Sequence, residues 1–323
     1  MLILVTGSAG FIGSHTCQAL LNTGHQVRGI DCLVNYYPEI IKKANLSLLA
    51  ANPDFEFWEQ DLAQANMADL LNGVYGVIHL AAQAGVRNSW GTSFDEYTYH
   101  NITTIQRLLE ALKEYRCPLV FASSSSVYGN AEQFPTSEDS PCQPVSPYGM
   151  TKLAGESLCS LYYKNFNLPI SILRYFTVYG PRQRPDMAFH KFIKAILLNE
   201  EITLLGDGSQ IRDFTYVDDI VNATVTALFT REALGQIFNL GGGVKARITE
   251  VISLLEQKMA TKARVRYLPT AKGDVKQTFA DTNKARSVLN FQPKFTLEQG
   301  LEREIDWVRQ NLNLLLKAGP CSA

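Results

Sequence analysis

The sequence predicts an α/β protein built on a doubly wound parallel sheet, with a smaller α/β unit toward the C-terminus. Apolar runs of strand length recur along the first half, helical apolar spacing separates most of them, and a glycine-rich turn joins the first run to the first helix. Residues 2–6 form the first run, continuous rather than alternating, as a strand buried on both faces requires. Residues 11–22 carry apolar side chains at helical spacing and complete the first β-α unit. Further strands are predicted over 26–31, 55–60, 76–81, 119–123 and 170–174. After Tyr175 the rhythm changes. The stretch GPRQRPDM leads into a helix near 189–198, and short strands and helices then alternate irregularly. A helix over 218–229 and a strand over 236–240 are expected to return to the main sheet.

Composition excludes several classes of function. Of 323 residues, 46% are hydrophobic and 19% charged, and the formal net charge is -1. No basic excess is available to neutralise nucleic-acid phosphates, so no nucleic-acid partner is expected. A chain of this length buries a core without disulfides or metals. No run of about 18 apolar residues offers a membrane span, and the N-terminal apolar run meets glycine too soon for a signal peptide. A soluble, cytoplasmic protein without a membrane partner is expected. The six cysteines (Cys17, Cys32, Cys117, Cys142, Cys159 and Cys321) form no CxxC pair and read as reduced thiols.

Gly7, Gly10 and Gly13 form GxxGxxG between the first strand and the first helix. Glycine is needed there if the backbone is to turn sharply and approach a pyrophosphate, which the N–H groups and dipole of a helix N-terminus attract. Turn and packing glycines also produce such a pattern, but its place between strand and helix favours the phosphate reading. Asp31 ends the second strand 18 residues beyond Gly13, where a carboxylate accepts both hydroxyls of an adenosine ribose and repels a 2′-phosphate. NAD is therefore expected over NADP, on a Rossmann-type domain. Asp61 and Leu62 after the third strand either flank the adenine or simply open a loop. Phe11, Ile12, Leu80, Ala81, Ala82 and Tyr175 complete the expected cofactor set. The expected division is residues 1–175 for the NAD-binding domain, also receiving about 215–240, with 176–316 as the substrate domain and 317–323 as a disordered tail.

In SPYGMTK, Pro147 suits the first turn of a helix, and Tyr148 lies four residues before Lys152 on the same face. A phenol near pKa 10 is a poor base at neutral pH; lowering it by about three units takes roughly 4 kcal/mol of preferential phenolate stabilisation. Lys152 and the positive nicotinamide ring of NAD are the sources expected to supply it. The segment FASSSSVYG leaves the fifth strand at the carboxyl edge of the sheet, where ligands bind in such folds. One of its hydroxyls is expected to bridge the substrate and Tyr148, while others cap turns.

With these motifs placed, the chain resembles the extended short-chain dehydrogenase/reductase superfamily and its NAD-dependent nucleotide-sugar epimerases and dehydratases. The resemblance runs from Met1 to about Leu316. HLAAQAGVRNS and RYFTVYGPRQRPDMA look like segments of the UDP-glucuronate 4-epimerases. It implies Tyr148 as base, Lys152 as its partner, and Ser124 as the family's catalytic hydroxyl. It also implies that Ser125 and Ser126 face a UDP-linked sugar. Arg212 and the loop from Thr203 match diphosphate and uracil contacts, and Asp274 and Lys276 match a stretch closing over the UDP ribose and phosphates. Arg184 is the foremost candidate for a substrate carboxylate, with Arg87 second and Thr177 assisting; either arginine alternatively pairs with a nearby acid such as Asp186. Family resemblance further implies a homodimer through helices near 97–115 and 152–165, whose apolar faces could equally be core.

The reaction so implied is reversible transfer of the C4 hydride through a 4-keto sugar. Related decarboxylases carry Glu immediately before VYG, and 4,6-dehydratases an Asp-Glu pair; this chain has Ser125 and Ser126. That difference argues against elimination or programmed decarboxylation. A UDP-glucuronate 4-epimerase is the leading reading. A 4-epimerase of UDP-glucose or its N-acetyl analogue, a UDP-glucuronate decarboxylase, and an NAD-sensing regulator stand behind it.

Overall fold

Strands and helices alternate through β1 (Leu2–Thr6), α1 (Phe11–Asn22), β2 (Gln26–Asp31), α2 (Glu39–Ala50), β3 (Phe55–Glu59), α3 (Met67–Leu71) and β4 (Val74–His79). The chain continues through α4 (Phe94–Thr98), α5 (Thr104–Tyr115), β5 (Leu119–Ser124), α6 (Pro147–Phe166) and β6 (Ile170–Tyr175). The second half holds β7 (Thr177–Tyr179), α7 (Ala188–Leu197), β8 (Glu201–Leu205), β9 (Ile211–Tyr216), α8 (Val217–Phe229), β10 (Ile237–Leu240) and β11 (Val244–Arg247). It ends with α9 (Ile248–Met259), β12 (Arg264–Leu268), α10 (Asn283–Leu289), α11 (Leu297–Gln310) and α12 (Leu312–Lys317). This is a computed structural model, and it describes residues 1–270 and 272–319.

Seven parallel strands lie in the order β10, β6, β5, β4, β1, β2, β3. This is a Rossmann-type doubly wound sheet. The chain moves outward from β1 to β3, then returns to β4 and moves outward the other way, so a crevice opens between the carboxyl ends of β1 and β4. Ile3 and Val5 face one core and Leu4 the other, which is why β1 reads as a continuous apolar run. Cys17 and Leu20 of α1 join Ile220 and Val221 of α8 on the first face. Leu108, Leu109 and Leu112 of α5 join Cys159 and Tyr162 of α6 on the second.

The return of the later chain to the main sheet occurs as expected: β10 pairs parallel with β6, and α8 packs in the first core. A separate three-stranded sheet holds β11, β9 and β7, and β12 pairs with β8. Several predicted limits move. The fourth strand spans 74–79 rather than 76–81, because Val74 already pairs with Leu2 while Leu80 and Ala81 leave the ladder and donate their N–H groups to Thr6 Oγ1. β3 stops at Glu59, β5 extends to Ser124 and β6 to Tyr175, each by one residue. Lys317 ends a helix rather than beginning a disordered tail; Ala318 packs against the core, and residues 320–323, with Cys321, lie outside the described residues.

Candidate active site

The glycine turn is shaped by contacts that no side chain could share. Gly7 has φ +70°, and a Cβ there would lie 2.8 Å from the Ala81 nitrogen. At Gly13 a Cβ would lie 2.0 Å from the Gly7 carbonyl oxygen, so only glycine lets α1 start this close to the turn. Gly10 caps α1 without a side chain, leaving the first-turn N–H groups aimed into the crevice. Asp31 Oδ2 accepts from Ala9 N at 3.1 Å and Oδ1 from Leu33 N at 2.9 Å, which fixes the carboxylate beside the turn. Each oxygen keeps a lone pair for a ligand hydroxyl.

These groups line a single cleft. Every residue expected to touch the cofactor borders it: Gly7, Gly10, Phe11, Ile12, Gly13, Asp31, Asp61, Leu62, Leu80, Ala81, Ala82, Tyr148, Lys152 and Tyr175. Asp61 does more than open a loop, since it accepts from Ala63 N at 2.8 Å and from the Tyr99 phenol at 2.9 Å. Sequence reasoning missed Tyr36, Tyr37 and Lys42 on the same wall. Tyr36 and Tyr37 follow β2 in an irregular segment whose apolar pattern carries no period, and Lys42 lies near the start of α2. Lys42 Nζ donates to Val34 O at 2.6 Å and lies 4.9 Å from the Tyr37 ring centroid.

Tyr148 and Lys152 project from the start of α6. Ser146 caps the helix by accepting from Gly149 N at 3.1 Å, and Pro147 occupies its first turn. A Cβ on Gly149 would lie 2.5 Å from Ser126 O, so this glycine, unforeseen from the sequence, lets the serine turn lie against the helix beside Tyr148. Burial raises the Tyr148 phenol, while Arg184 and a hydrogen bond with Ser124 pull it down. Lys152 Nζ donates to Ala122 O at 3.0 Å, and burial pushes its ammonium down to about 8. Ser124 Oγ also bonds Ser126 Oγ at 3.1 Å and accepts from Ser126 N at 3.1 Å; Ser125 begins the turn that follows β5.

Arg184 is the one expected sugar-contact residue that lines the same cleft. It forms a bidentate pair with Asp186, both bonds at 2.9 Å, and lies 5.7 Å from the Tyr36 ring centroid. Burial pushes Asp186 up, and the Arg184 guanidinium outweighs it, holding the carboxyl below its usual range. The loop before Arg184 is anchored residue by residue. Gly180 N donates to Glu304 Oε2 at 2.9 Å, His15 Nε2 donates to Pro181 O at 2.9 Å, Arg182 donates to Ser14 Oγ at 3.3 Å, and His190 N donates to Gln183 Oε1 at 3.1 Å.

The remaining expected residues gather elsewhere or stand apart. Arg87 pairs with Asp274 at 2.8 Å; burial lowers the Arg212 guanidinium, with Asp274 opposing and Arg87 reinforcing the shift. Arg212 also donates to Lys276 O at 3.4 Å, so these four form one cluster. Thr177 begins β7 and pairs with Phe214, while Thr203 is exposed in the middle of β8. Neither Thr177 nor Thr203 borders the cleft.

Comparisons with known proteins agree with this geometry. Residues 3–241 match the model of the NAD dependent epimerase/dehydratase family. The "Uncharacterized UDP-glucose epimerase YtcB" of Bacillus subtilis (strain 168) is 46% identical over 310 residues, covering 95% of this chain and 98% of that one. A UDP-glucuronate 4-epimerase of Thermodesulfobacterium geofontis (strain OPF15) is 41% identical over 319 residues, 97% of each chain. The crystal structure of a UDP-glucuronic acid 4-epimerase from Bacillus cereus, in complex with UDP-glucuronic acid and NAD, aligns with TM-score 0.94 and 48% identity over 96% of this chain and 99% of that one.

Proposed function

Because the chain belongs to the NAD dependent epimerase/dehydratase family, we propose that it is a UDP-glucuronate 4-epimerase, interconverting UDP-glucuronate and UDP-galacturonate. The observation that carries this reading is one cleft in which Tyr148, Lys152 and Arg184 face the glycine turn. Residues 1–175 with 215–240 hold NAD, and 176–316 supply most of the UDP-sugar contacts. The cleft fits NAD: the glycine cradle takes the pyrophosphate and Asp31 the adenosine ribose. When bound, NAD accepts the C4 hydride and later returns it.

Tyr148 takes the proton of the sugar 4-hydroxyl, with Ser124 aligning the two oxygens. Since burial raises the phenol in the protein even with Arg184 and Ser124 opposing it, the lowering it needs comes from positive charge brought in with the ligand, that of an oxidised nicotinamide, alongside Lys152 on the same helix face. The 4-keto sugar turns over before the hydride returns to its other face, and Tyr148 gives the proton back. With a uronate this ketone is a β-keto acid, which loses CO₂ when its carboxylate bond aligns with the carbonyl π system. Arg184 holds the carboxylate out of that alignment, helped by Ser125, Ser126 and Thr177. Arg87, Arg212, Asp274 and Lys276 form the diphosphate end of the site, and Thr203 belongs to its uracil side.

One observation favours a neutral hexose instead: Arg184 is already paired with Asp186. Product analysis decides. Purified protein given UDP-glucuronate is expected to form UDP-galacturonate without releasing CO₂. Turnover of UDP-glucose alone, after NAD supplementation, would assign the chain to the neutral-sugar epimerases.

The active assembly is proposed to be a homodimer. The apolar face of α5 is core, but α6 leaves Met150, Leu161 and Phe166 exposed, a surface suited to a second copy. Among the described residues no helix is long and apolar enough to cross a membrane, and Cys17, Cys32, Cys117, Cys142 and Cys159 are free thiols. A cytoplasmic setting suits those thiols.

A further inference from the structure

Beside the proposed reacting pair lies a buried polar network that the reaction does not use directly. Glu156 stands four residues after Lys152 on α6, so the two share a helix face. Its carboxylate accepts from the Ser123 hydroxyl at 2.5 Å, from Arg174 Nε at 2.9 Å and from Arg174 Nη2 at 2.7 Å. Arg174 also donates to the Tyr128 phenol at 2.8 Å, which donates to Asn239 Oδ1 at 2.7 Å. The network therefore ties α6 to β5, β6 and β10, all beneath the cleft.

Ser123 is the residue that gives this network a bearing on chemistry. On one side of it, Ala122 O accepts from Lys152 Nζ at 3.0 Å; on the other, the Ser124 hydroxyl stands close enough to the Tyr148 phenol to pull it down. A single carboxylate thus pins the strand end that holds both members of the pair.

We infer that Glu156 is a positioning residue: it locks the end of β5 beneath Lys152 and supplies the negative charge that keeps the buried Lys152 ammonium protonated. The inference rests on the reading of Tyr148 and Lys152 as the reacting pair. Other groups facing Lys152 do not supply that charge. Burial holds His79 of β4 neutral, down to about 3, and keeps Cys159 of α6 a thiol by pushing it far above its usual range. Phe121 of β5 presents a ring 5.3 Å from Nζ, the Tyr148 phenol is raised, and Arg174 of β6 is cationic and engaged with Glu156. Burial lowers Lys152 to about 8, opposed by negative charge at Cys159 and at Glu156; since Cys159 stays a thiol there, Glu156 is the one of the two that is charged. A lysine is charged below its midpoint, so removing Glu156 moves the loss of the ammonium to lower pH.

The test follows the Lys152 midpoint by NMR in protein labelled with [ε-¹³C]lysine, the signal being assigned by its loss in Lys152→Arg. In Glu156→Gln the midpoint, and with it the alkaline limb of kcat, is expected to fall by about a unit. Glu156→Asp keeps the charge but shortens the reach; its midpoint is expected to hold while kcat drops several-fold. Glu156→Gln leaves Arg174 buried without its partner and can fail to fold. The double variant Glu156→Leu with Arg174→Met removes both charges, a replacement that buried ion pairs often tolerate, and its midpoint is also expected to fall. An unchanged midpoint in either folded variant would overturn the proposal. The NMR titration needs no turnover, so a shifted midpoint in a protein inactive on every UDP-sugar would sink the epimerase reading and spare this electrostatic assignment.

Discussion

The glycine end of the cleft and its arginine end differ in what holds their parts in place. At the glycine end, Gly7, Gly10, Gly13 and Asp31 follow one another along β1, α1 and β2, fixed by backbone geometry and by N–H groups. At the arginine end, Arg184 and Arg87 arrive on loops, Arg212 on β9, and the first two sit in ion pairs with Asp186 and Asp274. A backbone cradle presents one shape to every ligand that enters. An ion pair can be exchanged for a ligand's carboxylate or phosphate, so its effect depends on which ligand is offered. Substitutions at the two ends should differ accordingly, blind to the sugar at one end and selective at the other.

The largest effect is expected at Arg184. Losing two charge-assisted bonds to a carboxylate costs roughly 3 kcal/mol, or about 10²-fold in kcat/KM. Arg184→Ala should lose that on UDP-glucuronate and far less on UDP-glucose, and it should release CO₂ from the uronate as the freed carboxylate reaches alignment. Equal losses on both sugars would mean that Arg184 serves only to anchor Asp186. The comparison between the two ends would then collapse.

A smaller effect, and one blind to the sugar, is expected at Gly13. An added methyl group must displace the Gly7 carbonyl oxygen from 2.0 Å, an overpacking that costs about 1–3 kcal/mol. Gly13→Ala should weaken NAD binding by calorimetry and lower the melting temperature, whereas Gly10→Ala, with its nearest contact at 3.2 Å, should do less of both. This end was legible in the sequence because the elements are consecutive: strand period, glycine spacing and a terminal acid lie within 31 residues, and topology gathers them. The catalytic helix was legible for the same reason, through the spacing of Tyr148 and Lys152 and the Pro147 turn. Gly149, Glu156 and Lys42 were not, because their roles depend on neighbours distant in sequence: the serine turn, Arg174 and the Tyr37 segment. The anchoring of the Arg184 loop by His15 and Glu304 was hidden likewise, since those residues stand 166 and 124 positions from their partners.

The smallest effect, and the finest probe of the exchange idea, is expected at Asp274. Its partner Arg87 is 53% exposed, so the pair contributes only about 0.2–1 kcal/mol, and Asp274→Ala should scarcely move the melting temperature. Its bearing on ligands is different in sign. Asp274 neutralises Arg87 and acts on the half-buried Arg212, so it competes with an incoming diphosphate for both guanidinium groups. Removing it should tighten the binding of free UDP by about 1.5- to 5-fold, the same energy read in the opposite direction. High salt should erase the gain, because screening weakens the freed arginines. Weaker UDP binding in Asp274→Ala would instead show that the carboxylate is itself a ligand to the nucleotide ribose. The arginine end would then be prebuilt like the glycine end rather than assembled by exchange.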